Sequence, residues 1–339
     1  MNGCILLFGL PRSGTTWIGK LFDSHPDTLY RHEPDSVQRL AMPLFPPVEA
    51  ASRHRSELER FVASLPRMRS PEVVGKQPLF AKSYLSTASL FAYRASVLAA
   101  KAASKTRRHV PCPYRPTGGN HGDVVHVVWK SIESLGRLGV CAKAMPDARV
   151  IHLMRHPCGH VASVLHGRTT HRFDGEAADT DDSWRLKMLL ETATGRPYAA
   201  RLGDLKELTH AEQLAWIWMI THEKVLADTA HSENVLTVRY EDVCDEPVAM
   251  TRKMFEFTGL GWRPQTESFV RASTETTRST TDTDYYSVFK PPRASAEHWR
   301  SELAPDTIER IMRILRDTPM ARYYTDAGHI SKASLDVVT

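Results

Sequence analysis

Residues 9–16 read Gly-Leu-Pro-Arg-Ser-Gly-Thr-Thr. They lie between an apolar run, CILLFG (4–9), and a stretch in which Trp17, Ile18, Leu21 and Phe22 recur at helical spacing. A strand that runs through a glycine turn into a helix brings backbone N–H groups together at the helix start, where they can cradle an anion. Gly9 and Gly14 permit the turn. In the nucleotide-triphosphatase pattern G-x-x-x-x-G-K-[ST] a lysine reaches the β- and γ-phosphates, and here Thr15 occupies that place. Arg12 supplies a cation from inside the loop, and the hydroxyls of Thr15 and Thr16 add donors. Such a loop suits a compact two-group anion that lacks a γ-phosphate and needs no magnesium.

The elements that must position this loop are those of an α/β chain. Its 339 residues are 42% hydrophobic and 24% charged, as in ordinary globular proteins, and the formal charge of +5 suits an anionic ligand. Five scattered cysteines (Cys4, Cys112, Cys141, Cys158 and Cys244) show no paired spacing, which predicts a reduced, cytoplasmic protein. No export signal and no long uncharged apolar run is read, so neither secretion nor membrane spanning is expected. The 16 histidines are read as offering no metal site. Apolar runs at 4–9, 28–31, 124–130, 148–155 and 234–242 predict strands, and helical patterns at 132–143, 157–165 and 211–229 separate several of them. This alternation predicts a parallel sheet covered by helices on both faces. Residues 84–122 and 172–208 read as insertions, the second as either a mobile excursion near a ligand or a plain surface loop. One domain is expected over 1–327, with a flexible tail at 328–339. The basic run KTRRH (105–109) reads as a solvated loop, and Trp216 and Trp218 as helix packing.

The segment PRSGTTW (11–17) resembles the 5′-phosphosulfate loop of sulfotransferases that use 3′-phosphoadenosine 5′-phosphosulfate (PAPS). The second signature of that family is a strand ending in arginine, followed by a helix carrying a serine. RVIHLMRHPCGHVASVLHGR (149–168) matches it, with Arg155 at the strand end and Ser163 eight residues on. The resemblance implies that Pro11, Arg12, Ser13, Gly14, Thr15, Thr16 and Trp17 hold the 5′-phosphosulfate. It also implies that Arg155 and Ser163 take the 3′-phosphate, onto which a guanidinium can fork. VRYEDVCDEP (238–247) is similar to the family's Y-E-D segment and implies Tyr240 near the nucleotide. RST (278–280), SVFKPP (287–292) and Trp299 resemble the tyrosylprotein and carbohydrate branches, which implies that Ser279 and Lys290 close over the donor. Two departures stand out. Gly167 occupies the place of a further arginine in the tyrosylprotein branch, with Arg168 one position along, and WKSIE (129–133) replaces the K-T-H segment of the phenol-type enzymes.

Sulfuryl transfer needs a base for the acceptor hydroxyl, cations for the sulfuryl oxygens, and a donor for the leaving phosphate. Carbohydrate and tyrosylprotein relatives place a glutamate just beyond the strand that follows the loop helix, which implies Glu33 in YRHEPD (30–35) as base. His32 is its neighbouring rival, because an imidazole titrates in the right range. In an extended strand the two side chains face opposite ways, so one of them is expected in the site. Lys130 ends a strand at the carboxyl edge of the sheet, where α/β ligands bind. It resembles the lysine that meets the leaving oxygen, and with Glu33, Arg12 and Ser279 it completes the implied catalytic set. The resemblance implies a P-loop-type α/β sheet and transfer from PAPS to a hydroxyl of a sugar, glycolipid or secondary metabolite. No metal and no nucleic-acid partner is expected. A P-loop kinase or NTPase and a catalytically idle nucleotide-binding module are the competing readings.

Overall fold

CILLFG becomes the central strand, β1 (Cys4–Gly9), buried along its whole length. The computed structural model describes residues 3–104, 110–112, 125–169, 182–275, 292–325 and 328–329. After β1 come α1 (Thr15–Asp23), β2 (Thr28–His32), α2 (Pro34–Val37), α3 (Ala51–Ser64), α4 (Pro71–Val74) and α5 (Thr87–Ser104). Next are β3 (His126–Ser131), α6 (Leu138–Ala144), β4 (Arg149–Met154), α7 (Pro157–Thr169), α8 (Ser183–Leu190), α9 (Ala199–Leu202) and α10 (His210–Asp228). The chain continues through β5 (Val235–Arg239), α11 (Tyr240–Asp245), α12 (Pro247–Thr258), α13 (Pro264–Thr274), α14 (Pro292–Glu297), α15 (Trp299–Glu302) and α16 (Pro305–Arg316).

The five strands are parallel, in the order β2-β3-β1-β4-β5. Parallel strands lie between helices, so they read as unbroken apolar runs, and their alternate residues enter different cores. Cys4, Leu6 and Phe8 join Trp129, Val150 and residues of α6, α10 and α16 on one face. Ile5 and Leu7 join Val128, Ile151 and residues of α1, α12 and α13 on the other. From β1 the chain crosses to β2 on one side, and from β4 to β5 on the other. The loops that follow β1 and β4 therefore border the crevice where the strand order reverses, which is where α/β sheets take ligands.

Three elements differ from the sequence-based expectation. The helix expected from residue 132 starts only at Leu138, after a single 3-10 turn, because Ser131 Oγ accepts from the N–H groups of Glu133 (3.0 Å) and Ser134 (2.9 Å) and folds the chain into a turn first. The last strand stops at Arg239 rather than running to residue 242. Arg239 forks onto Asp242 at 2.9 and 2.8 Å, a spacing of three that closes a helical turn. The described part of 172–208 is no open loop either: α8 packs on α10 and buries Leu186 and Leu189.

Buried polar groups tie these layers together. Lys20, wholly buried at the far end of α1, holds Asp23 at 2.5 Å, and Lys82 holds the other carboxylate oxygen at 2.9 Å. Burial alone would raise the Asp23 carboxyl, but the two lysines outweigh it and keep it below the usual carboxylate range. Across the sheet, His152 of β4 meets His222 of α10 at 2.9 Å and Thr237 of β5 at 3.2 Å. Burial pushes His152 and His160 down to about 3. Burial and the neighbouring His152 hold His222 well below 6.5.

These three histidines stay neutral in the folded protein and take up protons when unfolded at acid pH. Their contribution to stability is complete above about pH 6.5 and is lost as the pH falls toward their folded values. Each should add about 1.4 kcal/mol per pH unit to the slope of stability near pH 5. Urea denaturation at pH 7, 6 and 5 should show the decline, with a shallower slope for His152→Gln. Stability independent of pH over this range would refute the assignment.

Candidate active site

The loop after β1 reverses through two left-handed residues, Arg12 (φ 67°) and Gly14 (φ 85°), on either side of Ser13. Ser13 N–H closes back on the Leu10 carbonyl at 3.2 Å, and Ile18 N–H bonds the Gly14 carbonyl at 3.1 Å, so α1 begins directly after the turn. This alternation directs successive N–H groups inward, the geometry of an anion nest at a helix start. Gly14 is required for space as well as for φ, because a Cβ there would lie 2.3 Å from the Tyr240 ring. The Ser13 hydroxyl is wholly buried and has no hydrogen-bond partner in the structure. Burying such a group is costly unless a ligand completes it, and the oxygens of a bound anion fit that need.

The second signature closes on the first. Arg155 Nη1 donates to the Arg12 carbonyl at 2.7 Å across 143 positions of chain, and Arg12 Nε donates to Ser163 Oγ at 3.1 Å. Arg155 Nη2 donates to the Ser295 carbonyl of α14 at 2.6 Å, its guanidinium lies 5.1 Å from the centre of the Tyr240 ring, and its Nε is buried without a partner. Trp17 meets Tyr240 edge-on at 6.1 Å and donates from its indole to Ser273 Oγ at 3.0 Å. The structure thus gathers Pro11–Trp17, Arg155, Ser163 and Tyr240 at one place. Ser279 and Lys290 lie outside the described residues.

On the other side of the loop, the ends of β2 and β3 present an ion pair. His32 is in register with Lys130, and the Glu33 N–H bonds the Lys130 carbonyl at 2.8 Å. Glu33 then turns left-handed (φ 48°), and its carboxylate closes on the ammonium of Lys130, which is buried. The expectation that His32 and Glu33 face opposite ways fails here. That alternation needs extended backbone, and the left-handed turn returns Glu33 Oε1 to within 3.6 Å of His32 Nε2. His32 Nδ1 in turn meets the Tyr30 hydroxyl at 2.9 Å. Burial, then the charges of Lys130 and Lys76, hold the imidazole well below 6.5, so His32 is neutral and a weak base at neutral pH. Burial also lowers the Lys130 ammonium, against the opposing pull of Glu33. Asp35 fixes the floor beneath, accepting from Trp129 Nε1 at 3.2 Å and from the hydroxyls of Ser131 (2.5 Å) and Ser134 (2.6 Å).

Arg168 is engaged elsewhere, with Asp182 at 2.8 Å and with His210. Two contributors escaped the sequence reading. Trp218, expected only to pack, also donates to the Arg155 carbonyl at 3.0 Å. His160 bonds the Pro11 carbonyl from below. Its signal lay in the three-residue spacing of His160 and Ser163, which places both along one face of α7. The four-residue spacing of His156 and His160 is that of a metal pair, but the His156 ring stacks on Trp299 (4.5 Å, 11°). No group of three His, Cys, Asp or Glu among the described residues could hold a metal ion.

Residues 4–264 match a family model described as "Sulfotransferase family". The chain is 25% identical over 343 residues to Carbohydrate sulfotransferase 1 of Danio rerio, covering 90% of this chain and 74% of that protein. It is 24% identical over 291 residues to Carbohydrate sulfotransferase 5 of Mus musculus, covering 78% and 66%. Among solved structures, a sulfotransferase domain from the curacin biosynthetic pathway aligns at 14% identity and TM-score 0.44, covering 93% of this chain and 98% of that one. A mouse sulfotransferase complexed with PAP aligns at 13% and 0.44, covering 95% and 88%. Because the family model spans most of the chain, from β1 through the loop, Arg155, Ser163 and Tyr240, this protein belongs to the sulfotransferase family, enzymes that transfer a sulfuryl group from PAPS.

Proposed function

We propose that this enzyme moves the sulfuryl group in line to a hydroxyl of a carbohydrate, glycolipid or secondary-metabolite acceptor, with Glu33 as the base. The observation that supports it best is the direct contact of Arg155 with the Arg12 carbonyl beside the unpartnered Ser13 hydroxyl. It assembles one anion site from two distant signatures. PAPS supplies the sulfuryl group and a phosphate leaving group. The N–H groups of the loop and the hydroxyls of Ser13, Thr15 and Thr16 would hold the 5′-phosphosulfate, and Arg155 and Ser163 the 3′-phosphate. Tyr240 and Trp17 form the wall beside them. Ser279 and Lys290 are proposed to contribute from the late segment, as in the tyrosylprotein and carbohydrate branches.

Glu33 accepts the acceptor's hydroxyl proton as the new S–O bond forms. Lys130 is paired with that carboxylate at rest, and its ammonium meets the charge that builds on the leaving phosphate oxygen when the old S–O bond breaks. The electron pair of that bond stays with the phosphate. The ion pair holds the carboxylate and the ammonium oriented until reaction separates their tasks. The names of the curated relatives favour a sugar hydroxyl as acceptor. Five free, buried cysteines suit a reducing compartment, so a cytoplasmic setting is proposed. Among the described residues no helix is long and apolar enough to cross a membrane.

Glu33→Gln should lower turnover by roughly 10²–10⁴, while the affinity for adenosine 3′,5′-bisphosphate, measured by calorimetry, stays within a factor of about two. Wild-type turnover in that variant would move the base elsewhere, with His32→Gln as the companion test. Arg155→Ala should weaken adenosine 3′,5′-bisphosphate by at least about tenfold, the size of one charge-assisted contact. Adenosine 5′-phosphate should lose less, by only the share that the Arg155–Arg12 contact gives the loop, and a loss for it as large as that for the bisphosphate would remove the 3′-phosphate assignment.

A further inference from the structure

We propose that His32 is a positioning residue: as the Nε2–H tautomer it holds Glu33 Oε1, so that Oε2 is the oxygen that takes the acceptor's proton. The inference rests on Glu33 as the base. Lys130 and His32 Nε2 both approach Oε1, the first as an ion pair and the second at 3.6 Å. Oε2 has no polar partner among the described residues. Two contacts fix the tautomer. Nε2 faces a carboxylate, which only accepts, so that nitrogen carries the proton. Nδ1 faces the Tyr30 hydroxyl at 2.9 Å, and it is that hydroxyl's one hydrogen-bond partner among the described residues. Tyr30 is buried, and a proton on Nδ1 would leave its O–H without an acceptor.

The charges around the pair agree with this. Burial, then the carboxylates of Asp23 and Glu33, hold the Tyr30 phenol well above 10, so its proton is always there to donate. Burial, then Lys130, Lys76, Lys20 and Lys101, keep the imidazole neutral. The relay is seated on α1. A Cβ at Gly19 would lie 2.6 Å from the Tyr30 hydroxyl, so glycine leaves the space in which that hydroxyl meets His32. Lys20 Nζ lies 5.1 Å from the centre of the Tyr30 ring, within cation–π reach. The helix that opens at the anion nest thus seats the tyrosine that orients the imidazole. As Lys130 turns to the leaving oxygen, a small rotation of the carboxylate brings Oε1 within hydrogen-bond reach of Nε2–H. A neutral donor orients the carboxylate with less loss of basicity than an ammonium would cause.

Nitrogen NMR of the histidine rings tests the tautomer, and steady-state kinetics tests the role. At neutral pH His32 of the wild type should show a protonated Nε2 and a bare Nδ1, and Tyr30→Phe should mix the two tautomers. A wild-type ring protonated on Nδ1 would overturn the proposal whether or not Glu33 is the base. His32→Leu should lower kcat by at least about tenfold, the size of one hydrogen bond to a charged group. Acceptor KM, the affinity for adenosine 3′,5′-bisphosphate and the unfolding midpoint should change little. His32→Gln, whose amide N–H can stand in for Nε2–H, should keep kcat within about threefold of the wild type. Equal losses in His32→Leu and His32→Gln, or none in either, would overturn the positioning role. Wild-type turnover of Glu33→Gln would strike the base and the role with it, while the tautomer result stands by itself, so the two failures are told apart.

Discussion

One guanidinium fastens the proposed donor site together. Arg155 leaves the end of β4, reaches the Arg12 carbonyl in the loop after β1, and takes the Ser295 carbonyl of α14 with its other amino group. Its own carbonyl is held by the Trp218 indole of α10. Four elements distant in sequence thus converge on a single residue. A hydrogen bond to a charged group in such surroundings is stronger than a neutral one. The carbonyl that Arg155 grips belongs to a residue in left-handed backbone, a conformation that a residue with a Cβ adopts only when its surroundings enforce it. The anion nest is therefore a property of the folded sheet rather than of the loop.

The proposed proton-transfer side obeys a comparable constraint by different means. Glu33 and Lys130 come from the ends of neighbouring strands, so ladder register sets their separation before any side chain chooses a rotamer. The Glu33 N–H is anchored to the Lys130 carbonyl, and the Ser36 N–H donates to the Glu33 carbonyl at 3.1 Å. Those bonds hold the left-handed turn. Asp35 then locks the start of α2 to Trp129, Ser131 and Ser134. Glu33 and Lys130 rest on a sheet edge fixed by ladder register, which suits chemistry that depends on preorganised charge.

Much of this was legible in the sequence because both faces of the sheet are covered. Full coverage makes β1 an unbroken apolar run and β4 one interrupted by His152 alone after Arg149, and it leaves the residues at and beyond the carboxyl ends as the polar exceptions. Arg12, Arg155 and Lys130 stood out for that reason. What escaped was decided by local backbone geometry or by tertiary contact. The turn at Glu33 reversed an argument built on strand alternation, and no residue type announces a left-handed glutamate. The Ser131 hydroxyl delayed α6, and the Arg239–Asp242 fork shortened β5. His160 and Trp218 serve the site through a backbone carbonyl each, a role that composition does not reveal.

The clamp of Lys20 and Lys82 on Asp23 has a bearing on how the donor is recognised. It pins the far end of the helix whose near end forms the anion nest. A helix fixed at both ends cannot swing toward a ligand or recoil from one. The N–H groups at its near end are thus held in place before any ligand arrives, so association at the proposed anion site costs little backbone freedom. For the proposed donor site this makes a preformed mould, in which discrimination among nucleotides rests on how each molecule fits it.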